Sequence, residues 1–454
     1  MIEAGNRAAG AAQEARRKGQ EVMATKETLN TQSNDPSFSH ILDELQWRGL
    51  VALSTDEKEL RAALSKPITF YCGFDPTAPS LHLGNLVQLL TMRRLQLAGH
   101  NPLALVGGAT GLVGDPKPNS ERTLNDRETV AAWVEKLAEQ NRRFLDFDGK
   151  SAAQMVNNLD WTSEYSAIDF LREIGKHYRV GKMISKDAVS ARLNSDAGIS
   201  YTEFSYQIMQ GLDFLELYRR YGCVMQTGGS DQWGNLTSGT DLIHKVEGKS
   251  VHLIATPLIT NADGKKFGKS EGNAIWLDSE LTSPYAMYQF WLNTDDADVI
   301  DRLKVFTFLT RDEIAEYEKS VAEEPFKREA QRRLALEVTE LVHSKLEAES
   351  ARDASLALFG SGDLASLDEK TLSSALAELP SAKLPRGAKI IEALVATGLV
   401  ESNSEARRAI EQGAVSVNKV KIGSEDEALE PLASMSLAVI SKGKKNLAGV
   451  FFSG

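Results

Sequence analysis

Between Pro67 and Ile259 short apolar runs alternate with longer helical patterns, and this alternation restricts the possible folds more than any other feature of the chain. The runs ITFYCGF (68–74), PLALVGG (102–108), AQMVNNL (153–159), CVMQTGG (223–229) and HLIATPLI (252–259) are β-rich and end in turn residues. Leucines at helical spacing come after the first run, and further helical patterns cover 126–145, 164–177, 203–221 and 231–246. Strands separated by helices of this length predict βαβ units, a parallel sheet and an α/β fold. Such sheets bind ligands at the carboxyl ends of their strands, where the Gly-rich turns of this chain fall.

The flanking regions have other patterns. The polar segment 1–36, nearly free of apolar clusters, is expected to be a disordered extension, with Met23 as an alternative start. A short helix is expected over Ile41–Arg48. From Pro284 to Phe359 the pattern is wholly helical, and the Ser/Asp-rich stretch after it predicts a linker over 361–385, ending at Leu384-Pro385. The last piece, Arg386–Gly454, has nine Lys or Arg against eight Asp or Glu, a net +1 that leaves −12 for the rest of the chain. That charge break predicts a separate module with its own partner. The expected domains are therefore 37–283, 284–360 and 386–454, and the sequence has no internal repeats.

Overall charge and cysteine usage narrow the function classes. A net charge of −11 rules out a protein that is basic throughout, though not a local nucleic-acid site. Cys72 and Cys223 are too few for a disulfide framework, which favours a reducing compartment. No apolar run approaches the ~18 residues of a membrane span, and the N-terminus lacks a secretory apolar region. These features predict a cytoplasmic protein without a membrane partner. Seven histidines and two cysteines show no zinc spacing, so no structural metal is expected.

Two constellations carry chemistry. In YCGFDPTAPSLHLGN (71–85) a strand runs into a tight turn, and His82 opens a helix with Gly84 in its first turn, a place suited to phosphate. Alone, this could be a helix cap with a satisfied histidine. The second, Lys265-Lys266-Phe267-Gly268-Lys269-Ser270, lies beyond a strand end. It is not a P-loop, because that motif needs four residues between its glycines and Gly264 to Gly268 leaves three. Alone, it could be a solvated basic turn.

Together, His82-Leu83-Gly84-Asn85 and Lys266-Phe267-Gly268-Lys269-Ser270 resemble the paired HIGH and KMSKS signatures of class I aminoacyl-tRNA synthetases. With GGSDQWGN (228–235), the first run resembles the bacterial-type tyrosyl enzymes over roughly residues 40–454. The resemblance implies a Rossmann-like parallel-sheet catalytic domain, an α-helical domain and a small α+β RNA-binding domain. It implies L-tyrosine, ATP and a tyrosine-accepting tRNA as partners, Mg²⁺ as cofactor, a homodimer and no DNA.

The same resemblance assigns Tyr71 and Asp213 to the substrate phenol, and Tyr206 and Gln210 to its α-ammonium, with Asp75 and Asp115 supplying charge nearby. Tyr206, Gln210 and Asp213 fall at i, i+4 and i+7, so one helix face can present all three. Gln232 is expected at the carboxylate and α-phosphate, and Asp231 at the ribose, with Gly84, Gly229 and Lys269 also lining the ATP site. Thr77, His82, Asn85, Lys266 and Lys269 are the expected catalytic set, and Arg122 is expected to reach the pyrophosphate. Asn85 stands where the signature has a second histidine, so its role is that of a neutral donor. Pro116–Ser120 form a shorter, more proline-rich loop than the pattern.

The C-terminal piece resembles a small RNA-binding domain shared with a ribosomal protein, with Arg407, Arg408 and Lys419 facing RNA phosphates. A tryptophan-specific relative, a nucleotidyltransferase with a similar signature, and an RNA-binding protein that keeps only the scaffold are the competing readings. Tyr71 with Asp213, the RNA module, and the lysines of the second signature argue against each in turn.

Overall fold

The apolar runs become strands of one six-stranded sheet: β2 (Thr69–Phe74), β3 (Asn101–Val106), β4 (Gln154–Asn157), β5 (Cys223–Gly229) and β6 (His252–Thr256), joined at the edge by β1 (Leu53–Ser54). The computed structural model describes residues 26–115, 124–184, 187–193, 198–260, 267–270, 273–425, 427–443 and 446–453. The strand order is β1-β6-β5-β2-β3-β4, parallel throughout except for β1 against β6. The chain moves outward from β2 to β4, then returns to lay β5 and β6 on the other side of β2. The carboxyl ends of β2 and β5 therefore flank a topological switch point, the place where such sheets hold ligands.

Three helices shape that crevice: α1 (Leu83–Leu97) after β2, α2 (Tyr201–Tyr221) before β5, and α3 (Trp233–Glu247) between β5 and β6. Leu212, Phe214 and Leu215 of α2 meet Leu236 and Ile243 of α3 and Leu253 of β6 in the core. The helix expected over 164–177 is instead a succession of short α, π and 3₁₀ turns. Of its apolar residues only Ile174 is buried, while Ile168 is 74% exposed, so little burial holds a continuous helix.

The chain divides into two units, Met1–Asp278 with Asp295–Ala330, and Ser279–Thr294 with Gln331–Gly454. The expected helical domain over 284–360 is thus shared between them. In the first unit, helix Asp296–Phe306 and the turn after it are held by two buried guanidiniums. Arg48 donates to the carbonyls of Lys304, Thr307 and Leu309 at 2.9–3.2 Å, and Arg94 to those of Val305 and Thr307 at 3.1 and 2.6 Å. The last carbonyls of a helix lack partners within it, and cations are favoured there. In the second unit, Pro284–Leu292 packs on Lys345–Phe359, with Gln289 donating to Ser355 Oγ at 2.8 Å.

The expected linker 361–385 is ordered. It contains the helix Glu369–Ala377 and a strand, β7 (Ser381–Pro385), which pairs in parallel with the final strand, β11 (Asn446–Ser453). Leu372, Ala375 and Leu376 fall on one helical face and are buried beneath an otherwise polar sequence. A Cβ on Gly449 would lie 2.9 Å from that of Leu376, so the helix lies directly on the strand. Leu384-Pro385 is therefore not a break, since it is bonded into the sheet β9-β8-β10-β11-β7 with β8 (Val415–Val417), β9 (Val420–Lys421) and β10 (Leu437–Lys442). Helices Ile390–Ala396 and Asn403–Glu411 cover this sheet through Ile390, Leu394, Ala406 and Ile410, giving the expected α+β module.

The N-terminal expectation also needs correction over 26–36; residues 1–25 lie outside the described residues. Residues 26–31 are helical and Leu29 is buried. Arg93 of α1 donates to the Leu29 carbonyl at 2.8 Å and to Gln32 Oε1 at 2.9 Å, and the buried Asp35 accepts from Arg311 N at 2.6 Å. One leucine and a set of hydrogen bonds to buried groups offset the ordering cost that polarity alone leaves unmet. A chain starting at Ser37 should therefore be less stable than one starting at Lys26 by about 2–3 kcal/mol, from lost leucine burial and unpaired buried polar groups. Side-by-side thermal melts check this, and equal melting temperatures would refute it.

Candidate functional site

The switch point opens into a cavity of about 330 Å³. Strand β2 and its turn supply Tyr71, Asp75 and Thr77, and the start of α1 supplies His82, Gly84 and Asn85. Asp115 enters beyond β3, Tyr206, Gln210 and Asp213 come from one face of α2, and Gly229, Asp231 and Gln232 from the turn after β5. All thirteen expected residues of these segments thus meet in one cavity. Lys266 and Arg122 lie outside the described residues, as does the loop 116–120. The backbone of Lys269 lies in a two-stranded hairpin, Lys269–Ser270 against Asn273–Ala274.

Asp213 lies at the inner end of the cavity and is only 2% exposed. Asn158 donates to its Oδ2 at 3.0 Å and the Trp161 indole to its Oδ1 at 2.9 Å. Burial pushes this carboxyl up to about 7, against the two donors, which favour the charged form. Tyr71 is buried beside it, its ring 5.2 Å from that of Phe214, and burial with the Asp213 charge raises its phenol well above the ordinary value. A buried carboxylate and a buried hydroxyl side by side in the cavity suit a ligand that carries a hydroxyl on a ring.

A second carboxylate of the cavity, Asp75, is only half-buried. Asp75 accepts from Thr110 Oγ1 and from the Tyr206 hydroxyl, both at 2.6 Å, and Gln210 Nε2 lies 3.4 Å from that hydroxyl. The backbone makes room for these groups. A Cβ on Gly107 would fall 2.1 Å from Asp75 Oδ1; behind the cavity, one on Gly211 would fall 1.7 Å from the Tyr178 hydroxyl, which does not line it. Gln232 and Asn235 both turn their amides to Asp115, at 3.4 and 3.3 Å. The ensemble is anionic and rich in acceptors, as recognition of an ammonium group requires.

His82 is the N-cap of α1. Its Nδ1 accepts from Gly84 N at 3.0 Å, while Asn85 Oδ1 accepts from His82 N at 3.0 Å. This reciprocal cap fixes two things: the imidazole carries its proton on Nε2, and the Asn85 amide presents its NH₂ as a donor. Gly84 serves the cap itself, because a Cβ there would stand 2.8 Å from His82 Cε1. The two signatures are also paired through their backbones. Leu83 N donates to the Ile275 carbonyl at 3.1 Å, Leu277 N donates to that of Leu81 at 2.9 Å, and His82 and Trp276 form the bridge between.

Asn158, Trp161 and Thr110 are site residues that the sequence does not mark. Each acts by holding a carboxylate, and none lies in a run whose pattern singles it out. Trp161, a large aromatic fully buried just after β4, is the one visible signal.

In the C-terminal module Arg408 is exposed, and Arg407 pairs with Glu425 at 2.8 Å. Lys419 is engaged within the protein: its ammonium donates to the carbonyls of Gly360 and Gly362 at 3.1 and 2.7 Å. Among the described residues no helix is long and apolar enough to cross a membrane, and no group of three His, Cys, Asp or Glu side chains could hold a metal ion.

Residues 63–360 match the family described as tRNA synthetases class I (W and Y). The chain belongs to that family. Residues 371–450 match the tyrosine–tRNA ligase SYY-like C-terminal domain. A tyrosine–tRNA ligase of Leifsonia xyli subsp. xyli is 67% identical over 94% of this chain and 97% of its own length. One from Streptomyces avermitilis is 62% identical over 92% of this synthetase and 100% of its own length. Among solved structures, a C-terminally truncated mitochondrial tyrosyl-tRNA synthetase of Coccidioides posadasii is similar at a TM-score of 0.61 and 31% identity, covering 75% of this chain and 97% of that one.

The electrostatics of Asp213 generate a test. An unfolded aspartate ionises near about 3.9, whereas the folded one keeps its proton up to about 7. Asp213 therefore makes the first unit less stable as pH rises between those values. Trp161→Phe removes a donor to the charged form and should lift the carboxyl further, which the carboxyl stretch in infrared titration of ¹³C-aspartate-labelled protein reports. An unchanged or lowered midpoint would contradict the assignment of the indole.

Proposed function

We propose that this synthetase is a tyrosine–tRNA ligase, which activates L-tyrosine with ATP to tyrosyl-adenylate and transfers tyrosine to the 3′ end of its tRNA. The observation that carries the amino-acid assignment is the presence in one cavity of buried Tyr71 and a buried, donor-held Asp213. Phenylalanine bound there would leave a buried carboxylate and hydroxyl without the phenol. The general magnitude for that loss, ~10⁵ in discrimination, comes from tyrosyl-tRNA synthetase as a known case. Asp75, Tyr206 and Gln210 receive the α-ammonium, Asp115 adds charge, and Gln232 meets the carboxylate.

In adenylate formation the tyrosine carboxylate is itself the nucleophile. An oxygen of that group bonds to the α-phosphorus, and the bond to the pyrophosphate oxygen breaks. The protein's task is to align carboxylate and phosphorus and to stabilise charge on the departing pyrophosphate. His82 offers its Nε2–H, Asn85 its amide N–H and Thr77 its hydroxyl. Lys266 and Lys269 are assigned the pyrophosphate charge, and Arg122 supports them. Gly84 and Gly229 lie against the nucleotide, and Asp231 holds the ribose. Mg²⁺ would be held by the phosphate oxygens of ATP, and it would supply charge neutralisation there beside Lys266 and Lys269.

The tRNA is assigned to Arg407, Arg408 and Lys419, the last by exchanging its carbonyl partners for phosphate. The exposed apolar side chains of Ile168, Leu171, Val180 and Ile184 support a homodimer, and the free buried cysteines support a cytoplasmic setting. No DNA partner is proposed.

Tyrosine-dependent ATP–pyrophosphate exchange tests the assignment, with phenylalanine and tryptophan as controls. Tyr71→Phe should cost about 0.5–1.5 kcal/mol of tyrosine binding, the value of one hydrogen bond, and Asp213→Ala considerably more. Unchanged exchange in both variants would mean that the pocket is misassigned. Replacing Arg407 and Arg408 by alanine should leave exchange intact while weakening tRNA binding and flattening its salt dependence. An unchanged salt slope would remove these arginines from the interface.

A further inference from the structure

We propose that Arg302 is a positioning residue for adenylate formation, seating the second signature against the first by holding the chain on both sides of residues 261–266. Arg302 belongs to helix Asp296–Phe306, is only 6% exposed and does not line the cavity. Its Nη2 donates to the Thr260 carbonyl at 2.6 Å, before that segment. Its guanidinium plane lies over the ring of Phe267, 4.7 Å from the centroid, directly after it. Phe267 also stacks on Phe306 of the same helix, with centroids 5.5 Å apart, and its N–H donates to the Ile259 carbonyl at 3.2 Å.

Seating Phe267 also fixes the residues beyond it. Gly268, at φ +81, accepts from Ile275 N at 2.9 Å, and a Cβ there would lie 3.4 Å from that of Leu83. Ile275 in turn accepts from Leu83 N. The contacts therefore run from Arg302 to Phe267, to Gly268, and to the first turn of α1 beside His82. The helix that carries Arg302 is itself fixed to α1 one turn further on, where Arg94 reaches the carbonyls of Val305 and Thr307. It acts as a bracket with one foot on the C-terminal turn of α1 and the other on the second signature.

The chemistry requires arginine at this position. A planar cation can lie on a ring while an edge N–H reaches a carbonyl, and an ammonium cannot satisfy both at once. Burial lowers the guanidinium below its ordinary value, partly offset by Asp298 and Asp301, and its Nε has no hydrogen-bond partner. A buried cation with an unmet donor is a costly way to fill space. Asp298, its ion-pair neighbour at 3.4 Å, belongs to the same helix, whereas the carbonyl and the ring lie on the two stems of one segment.

This inference rests on the adenylate reaction proposed above, and exchange by the unaltered chain separates the two. If that chain fails to exchange, the functional reading fails. If it exchanges, the variants decide the role of Arg302. In the full chain, Arg302→Gln should lower kcat for tyrosine-dependent pyrophosphate exchange about 10- to 100-fold, the scale of a small misplacement of reacting groups, with the tyrosine KM within about two-fold. Arg302→Lys should restore only a small part of kcat. Phe267→Leu keeps the buried charge and its carbonyl contact, so it tests the same seat without risking the fold, and it should lose kcat in the same direction. The proposal is overturned if Arg302→Gln retains kcat, if its tyrosine KM rises in step with the loss, or if Phe267→Leu is unaffected.

Discussion

The backbone pairing of Leu81–Leu83 with Ile275–Leu277 is the constraint on which the site depends. The segment after β2 and the segment after β6 belong to strands separated by β5 in the sheet, so the sheet alone does not bring them together. The hydrogen bonds from Leu83 to Ile275 and from Leu277 to Leu81, with the bridge between His82 and Trp276, do so. Backbone bonds of this kind have no dependence on ionic strength or side-chain rotamer. They fix the distance between the two signature segments, and this is the kind of preorganisation that transition-state stabilisation requires.

The cavity contains two carboxylates, Asp213 and Asp75, where an apolar lining would be easier to bury. Each is retained through donors that hold no other charge: an indole and an amide at Asp213, hydroxyls at Asp75. Neutral donors stabilise a carboxylate without cancelling it, so negative potential remains for a ligand. The buried arginines Arg48, Arg94 and Arg302 have the opposite arrangement, spending their donors largely on backbone carbonyls. Anionic charge thus lines the pocket, while cationic charge is used to join elements behind it.

The sequence makes the contents of the site legible and conceals most of its support. Residues expected to meet a ligand occur in short, distinctive runs at or just beyond strand ends, so Tyr71, His82 and Asp231 stand out, and the helical spacing of Tyr206, Gln210 and Asp213 identifies one face. Asn158, Trp161 and Arg302 touch only other protein groups, through contacts distant in sequence, and no local pattern reports them. The order of 26–36 and of 361–385 is hidden for a related reason. Both are polar in composition, and what orders them is a few apolar residues together with buried partners elsewhere: Arg93 for the first, and the face of β11 around Gly449 for the second. Composition averages over such residues, whereas folding depends on where each one lands. The division of the helices between two units is likewise invisible, since the contacts that hold helix Asp296–Phe306 in the first unit come from Arg48 and Arg94, far away in sequence.

Gly107 and Gly211 have a consequence for how this pocket can change. Each lets a polar group, the Asp75 carboxylate or the Tyr178 hydroxyl, come to within a distance of the main chain that no side chain would leave open. In a saturation library around the cavity, the least tolerant positions would therefore include Gly107 in its lining and Gly211 in the helix behind it, which contribute no side-chain atoms to it. Variation aimed at a differently shaped amino acid would be confined to residues such as Tyr71 and Gln210, where atoms can be exchanged for other atoms. The evolvable part of the specificity is thus a thin layer of side chains, and the backbone beneath it limits how deep a new ligand can reach.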